Sequence, residues 1–249
     1  MIASHQTPLR KDGFTFKRFF VAHNKSPMKV TTDSCLLGAW VPIDVIPQKV
    51  LDIGTGCGVI ALMLAQRLEN THCKIDAIDI DHHAIAQCNE NSKQASFYSI
   101  CAKHADINQF RLDQPACYDL IVSNPPYFES AVDCRDIQRQ LARYTESLNY
   151  QQLINAVKRL LTPKGQFCLV LPYHLSNHFR FLCESNFLYL TQVMNVRYSS
   201  KKDFSLALMA FSLSRADLII EDQLCMRDDD GCYSQSFRQL LADFYLFRK

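Results

Sequence analysis

Four consecutive residues, Asn124-Pro125-Pro126-Tyr127, have the chemistry needed to activate a nitrogen nucleophile. The lone pair of an aryl amine or amide nitrogen is delocalised into the adjoining π system, so the nitrogen attacks poorly. Two acceptors directed at its N–H bonds favour a more tetrahedral nitrogen, and the Asn124 side-chain oxygen and the Pro125 carbonyl can supply them. The prolines fix the backbone and remove competing N–H donors. Tyr127 can stack on a flat substrate, so Asn124, Pro125 and Tyr127 are the catalytic candidates.

Three of the seven glycines, Gly54, Gly56 and Gly58, lie within five residues of one another. They separate a strand-like run, Val50–Ile53, from a helical pattern. Glycine at such a turn permits a positive φ and lets the backbone approach a ligand closely. Asp79 ends the next strand-like run, where an acid can bind ribose hydroxyls. These residues predict a nucleotide-type binding loop.

The loop leaves two cofactors open. Asp52–Gly58 resembles motif I of S-adenosylmethionine-binding enzymes, whereas Gly56–Ala61 also satisfies the GxGxxA fingerprint of NAD enzymes. The acid Asp52, two places before the first glycine, and the amine chemistry of residues 124–127 favour S-adenosylmethionine. Its methyl group is activated by positive sulfur, so catalysis needs position and electrostatics and no metal.

Strand-like and helical patterns alternate along the chain and must position these groups. Strands are expected at Lys49–Ile53, Lys74–Ile80, Tyr98–Lys103, Tyr118–Ser123 and Gln166–Leu171, and helices at Val59–Leu68, Ala84–Ser92 and Tyr150–Leu161, with a break at Thr162–Gly165. The alternation predicts βαβ units, a parallel sheet and both motifs at the carboxyl ends of strands.

The last third of the chain has a different pattern. Leu188–Arg197 and Phe204–Ser212 are strand-like runs with no helix between them, which predicts an antiparallel hairpin closing the sheet edge. Five parallel strands and this hairpin give an α/β, Rossmann-like, seven-stranded sheet of the class I methyltransferase type. No repeat or linker is evident, so we expect a single domain over residues 1–249, with 1–30 as a basic N-terminal extension.

Composition limits the compartment and the partners. The chain has 249 residues and eleven cysteines without a CxxC pair, which favours reduced thiols in the cytoplasm over disulfides or zinc. Met1–Lys11 lacks the apolar core of a secretion signal and no apolar run approaches the length of a membrane span, so we expect neither. Residues 1–30 carry six basic residues and one acid, so Arg10, Lys11, Lys17 and Arg18 are candidates for phosphate contacts, and a merely solvated extension is an equal alternative.

Two other patterns are assigned structural roles. His174 and His178 are expected to be exposed on a helix, because no further metal ligands accompany them. Phe14 and Phe16 alternate with Lys17 and Arg18 nearby, and we favour a core strand over a base-stacking surface.

Beyond its motifs, the chain resembles the bacterial tRNA(valine) adenosine-37 N6-methyltransferase family. Asn124–Tyr127 matches motif IV of amino-group methyltransferases, and further similarity lies in Phe14–Trp40, Ala142–Thr145 and Phe244–Phe247. The resemblance implies methyl transfer from S-adenosylmethionine to the amino nitrogen of adenosine 37 in tRNA. Because motif IV is shared, methylation of ribosomal RNA guanine or of a protein glutamine stays an alternative. A non-catalytic RNA-binding module or an NAD oxidoreductase fits less well.

The resemblance also implies individual roles. Thr32 and Asp33 are expected near the methionine end of the donor, and Asp106 near its adenine edge. Asn24 and Thr31 depart from the expected acid and glycine. The expected cofactor-binding residues are Thr32, Asp33, Asp52, Gly54, Gly56, Gly58, Asp79, Asp106 and Asn124. The expected substrate-binding residues are Tyr127, Arg10, Lys11, Lys17 and Arg18. We expect tRNA as partner, with no membrane, metal or obligate protein partner.

Overall fold

A twisted α/β sheet with helices on both faces carries the predicted motifs. The computed structural model describes residues 12–25, 29–126 and 149–247. The parallel strands are β3 (Lys49–Ile53), β4 (Lys74–Asp79), β5 (Ile100–His104), β6 (Tyr118–Ser123) and β7 (Leu161–Pro172). The helices beside them are α1 (Thr32–Trp40), α2 (Val59–Arg67), α3 (His82–Gln94), α4 (Tyr150–Leu160) and α5 (Tyr173–Ser185). The mostly parallel α/β fold predicted from the alternating pattern is confirmed.

The C-terminal strands extend this sheet. β8 (Tyr189–Ser199) and β9 (Phe204–Ser212) form the predicted antiparallel hairpin, and β9 pairs antiparallel with β7. The predicted number of seven strands is too low, because β10 (Ile220–Arg227) pairs parallel with β8 and forms the edge in place of the hairpin. The sheet order is β10-β8-β9-β7-β6-β3-β4-β5. In β10 only Leu224 is buried, so its sequence lacks the alternating apolar pattern of a strand.

Local sequence explains the helix starts. Asp81 accepts hydrogen bonds from the first turn of α3, and Asn149 and Gln152 form a reciprocal capping box at α4. The break expected at 162–165 is wrong, because those residues lie within β7. They occupy a register shift opposite Tyr118 and Leu120 of β6, which lets the strand start immediately after α4.

The N-terminal segment packs into the core. β1 (Gly13–Thr15) and β2 (Phe20–Ala22) form an antiparallel pair, and Phe16 and Phe19 between them are buried. Phe14 in β1 is half-buried and packs against the core, so the core interpretation of Phe14 and Phe16 is confirmed, although Phe16 lies just after the strand. Asn91 of α3 bonds to both backbone polar groups of Ala22, with its amide also donating to the Cys57 carbonyl. Whether residues 1–249 form one domain stays a prediction.

The described part of the chain also gives findings on thiols, histidines, metals and membranes. The cysteines described there are free thiols. His174 and His178 are exposed on α5, as predicted. Residues 12–25, 29–126 and 149–247 contain no group of three or more His, Cys, Asp or Glu side chains able to hold a metal ion. Within the same ranges, no helix has the length and apolar character needed to span a membrane. α6 (Gln235–Leu240) completes the described elements.

Candidate active site

The carboxyl ends of three neighbouring strands, β6, β3 and β4, bring predicted groups together at one end of the sheet, here called its carboxyl edge. Ile53 pairs with Ser123 on one side and with Ile78 on the other. The residues that follow, Gly54, Asn124 and Asp79, therefore begin at the same level on adjacent strands, about 4.8 Å apart. This is the edge at which open α/β sheets bind ligands.

The glycine loop has the backbone shape that its sequence predicts. Gly54, Gly56 and Gly58 all have positive φ, at 70°, 56° and 87°. A side chain at Gly54 would meet no atom within 4 Å, so this part of the loop faces open space that a ligand can enter. At Gly58 a Cβ would lie 2.6 Å from Cys88 Sγ, so glycine is required there for α3 to pack closely.

Asp79 connects the loop to the end of β4. Its carboxylate accepts hydrogen bonds from the backbone N–H groups of Gly56 and Asp81, both at 2.9 Å. Burial raises the pKa of Asp79, and these two donors act in the opposite direction. The carboxylate is only half-buried, so it keeps a solvent-facing side on which a hydroxyl donor can bind.

Asp52 lies beneath the loop and is fully buried. Burial raises its pKa to about 7, although the Thr55 hydroxyl donates to it at 2.6 Å and lowers the pKa. This short hydrogen bond joins the end of strand β3 to the glycine loop. In this structure Asp52 supports the loop from below, whereas Asp79 borders its open side.

Asn124 is held by a residue that sequence reasoning missed. Its side-chain Nδ2 donates to the hydroxyl of Ser34 at 2.9 Å, across 90 positions of sequence. Ser34 is buried in the first turn of α1, and the Thr31 side chain accepts from its backbone N–H. With Nδ2 engaged in this way, the amide geometry leaves Oδ1 as the acceptor for an incoming N–H group. Pro125, the next residue, is buried.

Some of the remaining predicted residues lie at the same edge as Asn124, and others lie outside the described residues. Thr32 and Asp33 precede Ser34 directly, so α1 brings them to the same edge as Asn124, where both are half-buried. Asp106 follows β5 at this edge, is exposed, and accepts from the backbone and side chain of Asn108. Tyr127, Arg10 and Lys11 lie outside the described residues.

Lys17 and Arg18 are exposed at a different place. Arg18 pairs with Glu69 at 2.6 Å, and Lys17 donates to the Ala242 carbonyl. Glu69 follows the C-terminal end of α2, and α2 runs from the glycine loop back towards the start of β4. The Arg18–Glu69 pair therefore lies at the amino edge of the sheet, opposite Asn124.

Comparison with known proteins decides the family. A family model described as a methyltransferase domain matches residues 47–211. A tRNA1(Val) (adenine(37)-N6)-methyltransferase from Photorhabdus laumondii is 46% identical over 96% of this chain and 97% of its own length. One from Proteus mirabilis is 44% identical over 96% of each chain. The chain belongs to the tRNA1(Val) (adenine(37)-N6)-methyltransferase family.

Solved structures support the fold of this family member. A predicted O-methyltransferase from Agrobacterium tumefaciens superposes with a TM-score of 0.65 at 16% identity, covering 85% of this chain and 96% of the other. A ribosomal protein L11 methylase from Lactobacillus delbrueckii gives 0.51 at 17% identity, covering 72% and 76%. At this identity the likeness concerns the fold alone.

One more side chain beside Asp79 was not singled out from the sequence. Ile80 follows Asp79 directly and is 63% exposed. The sequence contained a signal for Ile80, since an apolar residue directly after Asp79, the acid expected to bind ribose, could cover a flat base. Ser34 had no such signal, because nothing in its local sequence refers to Asn124.

Proposed function

We propose that this protein transfers a methyl group from S-adenosylmethionine to N6 of adenosine 37 in tRNA(Val). Membership of the family named for this reaction supports the proposal. The observation that carries the chemistry is Asn124, placed beside the glycine loop with its Nδ2 engaged by Ser34. A protein that only binds RNA has no need for an oriented acceptor at this point.

The donor site is built from the loop and the acids around it. Asp79 would accept from the ribose hydroxyls, and Ile80 would cover one face of the adenine ring. Gly54 leaves room for the ligand to contact the loop backbone. When bound, S-adenosylmethionine supplies a methyl group that positive sulfur has already activated. Thr32 and Asp33, which directly precede Ser34, would contact the methionine end.

At the acceptor side, Asn124 Oδ1 and the Pro125 carbonyl would each accept one N–H of the adenine amino group. These bonds favour the tetrahedral form of the nitrogen and direct its lone pair towards the donor edge. Their strength grows as the amine gains positive charge in the transition state, which is when stabilisation accelerates the reaction. Tyr127 would stack on the extruded base.

The decisive experiment is Asn124→Ala under single-turnover conditions with saturating tRNA. Removal of an acceptor that acts in the transition state is expected to lower the rate by about 10²–10³-fold, with donor and tRNA binding retained. Tyr127→Ala is the comparison variant, because loss of stacking worth about 1–3 kcal/mol should fall more on KM. Tyr127→Phe should be mild.

The methylated nucleoside is located by mass spectrometry of the product. N6-methyladenosine at position 37 is the expected result. A methylated guanine in ribosomal RNA, or a methylated glutamine in a protein, would replace the proposed substrate with one of the alternatives. Near-normal turnover of Asn124→Ala would contradict the mechanism even if the substrate is correct.

The cytoplasm is the compartment we propose, because tRNA is the substrate and the described cysteines are free. The basic N-terminal extension, residues 1–30, is proposed to contact tRNA and is called the basic arm below. Since Arg18 pairs with Glu69 at the amino edge, any contact that Arg18 makes would lie away from the reacting base. We propose no metal, membrane or obligate protein partner.

A further inference from the structure

A second group of cationic and aromatic side chains lies at the catalytic edge of the sheet. Tyr173 begins α5 immediately after β7, and its ring centroid lies 5.2 Å from that of Phe204. The guanidinium of Arg197 lies 5.5 Å from the Phe204 ring centroid. The turn between β8 and β9 adds two exposed lysines, Lys201 and Lys202. We call these five residues the β8–β9 surface.

The strand register places this surface next to the reaction site. Ser123 of β6 pairs with Leu169 of β7, so Tyr173 lies three residues beyond the level of Asn124 on the neighbouring strand. With about 3.3 Å per residue along a strand and 4.8 Å between strands, the separation is roughly 11 Å. A nucleotide flanking the reactive base can reach this surface.

The cations of this surface form no ion pair with the described residues. In the described part of the chain, Arg197, Lys201 and Lys202 have no carboxylate within salt-bridge distance, unlike Arg18, Lys25 and Lys103. Arg197 Nε is in addition buried and has no hydrogen-bond partner there. Asp203 lies between Arg197 and Phe204, and Asp228 and Asp229 line one cavity with Lys201, where Asp229 accepts from the Ser200 hydroxyl at 2.6 Å. Arg227 lines the same cavity, so the four cations outnumber these three acids by one. The Arg197 guanidinium is favourably placed to receive an anion.

The aromatic side chains supply the other half of a single-strand site. Tyr173 is 36% exposed, and its ring contacts that of the half-buried Phe204. Proteins that bind single-stranded nucleic acid combine cations along the backbone with aromatic rings on which bases stack. Loops of RNA are the usual target, because their bases can be splayed out.

We propose that the β8–β9 surface binds the single-stranded tRNA segment flanking the methylated adenosine. Arg197, Lys201 and Lys202 hold its phosphates, and Tyr173 stacks on an adjoining base. This inference rests on the proposed function, since it names the part of the protein that holds the RNA of that same reaction. The surface is separate from the basic arm, because Arg18 of the arm pairs with Glu69 at the amino edge of the sheet.

The chain offers a matched control. Arg215 lies 4.8 Å from the Tyr189 ring centroid, which reproduces the cation–aromatic pair at the other edge. Tyr189 begins β8 and Arg215 follows β9, so both lie at the amino edge, away from Asn124. Arg215→Gln thus removes an exposed arginine from a similar pair without touching the proposed surface.

The test measures binding of an unmodified tRNA(Val) transcript over a salt series, KM and kcat, donor affinity, and Tm. Tyr173→Ala and Arg197→Gln are each expected to raise the tRNA Kd and KM about tenfold, with donor affinity unchanged. Arg197→Gln should also reduce the slope of log K against log salt by about 0.7. Tyr173→Phe and Arg215→Gln should behave like the unaltered protein.

A double variant, Lys201→Gln with Lys202→Gln, repeats the test in the exposed turn between β8 and β9. Because both side chains are exposed, the substitutions should leave the fold intact. It should reduce the salt slope by about 1.4. If Tyr173→Ala, Arg197→Gln and the double variant all match Arg215→Gln within twofold while the unaltered protein methylates tRNA, the surface is wrong and the proposed function stands. If the unaltered protein neither binds nor methylates tRNA, the proposed function fails and this inference fails with it.

Discussion

The contact between Ser34 and Asn124 yields the sharpest prediction about catalysis. Ser34→Ala removes the hydroxyl that accepts from Asn124 Nδ2 at 2.9 Å. A neutral hydrogen bond of this kind contributes about 1 kcal/mol. Without it, the Asn124 amide can rotate and present its oxygen to the substrate for only part of the time. We expect single-turnover rates to fall about 5–10-fold, since 1.4 kcal/mol corresponds to tenfold.

Two limits bound this effect. The loss must stay below the roughly 10²–10³-fold expected for Asn124→Ala, because Ser34 acts only through the orientation of Asn124. Donor affinity and tRNA KM should change less than twofold. Ser92→Ala is the matched control, because Ser92 is as buried as Ser34, at 7% exposure, and its hydroxyl bonds to the Asn89 carbonyl within α3.

A double-mutant cycle separates orientation from general structural damage. If Ser34 acts through Asn124, then Ser34→Ala should cost nothing further in an Asn124→Ala background. Additive losses, or an unchanged rate in Ser34→Ala alone, would refute the reasoning. Tm of each variant is recorded, and Ser34→Ala is expected to lose no more stability than Ser92→Ala.

Three other predictions concern the donor, the fold and the arm. Asp79→Ala should weaken S-adenosylmethionine binding by about 1.5–3 kcal/mol in calorimetry with tRNA affinity retained; unchanged donor affinity would remove Asp79 from the site. Burial by itself would raise the pKa of Asp76, but hydrogen bonds from Lys103 and the Tyr118 hydroxyl outweigh burial and lower the pKa. The ionised carboxylate therefore stabilises the folded protein at pH values above the ordinary carboxyl pKa. This stabilisation is lost as the pH falls through the lowered pKa. Asp76→Asn should therefore cost about 1.5–3 kcal/mol of unfolding free energy near neutral pH and less in acid, and a pH-independent cost in denaturant titrations would contradict this. Replacing the four basic residues of the arm with glutamine should raise the KM for tRNA and flatten the salt dependence of tRNA binding; the residues are Arg10, Lys11, Lys17 and Arg18. If the variant and the unaltered protein give the same salt slope, the arm is a solvated extension.

Sequence patterns were sufficient where the decisive interactions are local. The glycine loop and the strands before Gly54 and Asn124 were predicted because buried parallel strands are continuous apolar runs and the loop needs positive φ. β10 was missed because its residues are mostly exposed. β10 pairs with β8 through backbone hydrogen bonds, which do not depend on the type of side chain and so give no pattern in the sequence.

The site was less predictable than the fold for a related reason. The partner of Asn124 is 90 positions away, and Ser34 reads in the sequence as an ordinary helix-start residue. Thr31, which departs from the expected glycine, proves to be the N-cap of α1, with its side chain accepting from the Ser34 N–H. The departure is therefore compatible with the site, because it stabilises the turn that holds Ser34.

The placement of Ser34 also depends on how α1 is fixed against the donor loop. Arg67, at the end of α2, donates to the carbonyls of Gly38 and Val41 at 3.0 and 2.8 Å, which closes the C-terminal end of α1. A Cβ at Gly38 would lie 2.8 Å from Met63 Sδ, so glycine permits the two helices to approach closely. Because α2 begins at the glycine loop, this packing ties Ser34 to the loop that would hold the donor. Orientation of the catalytic amide and position of the methyl group are thus set by the same pair of helices.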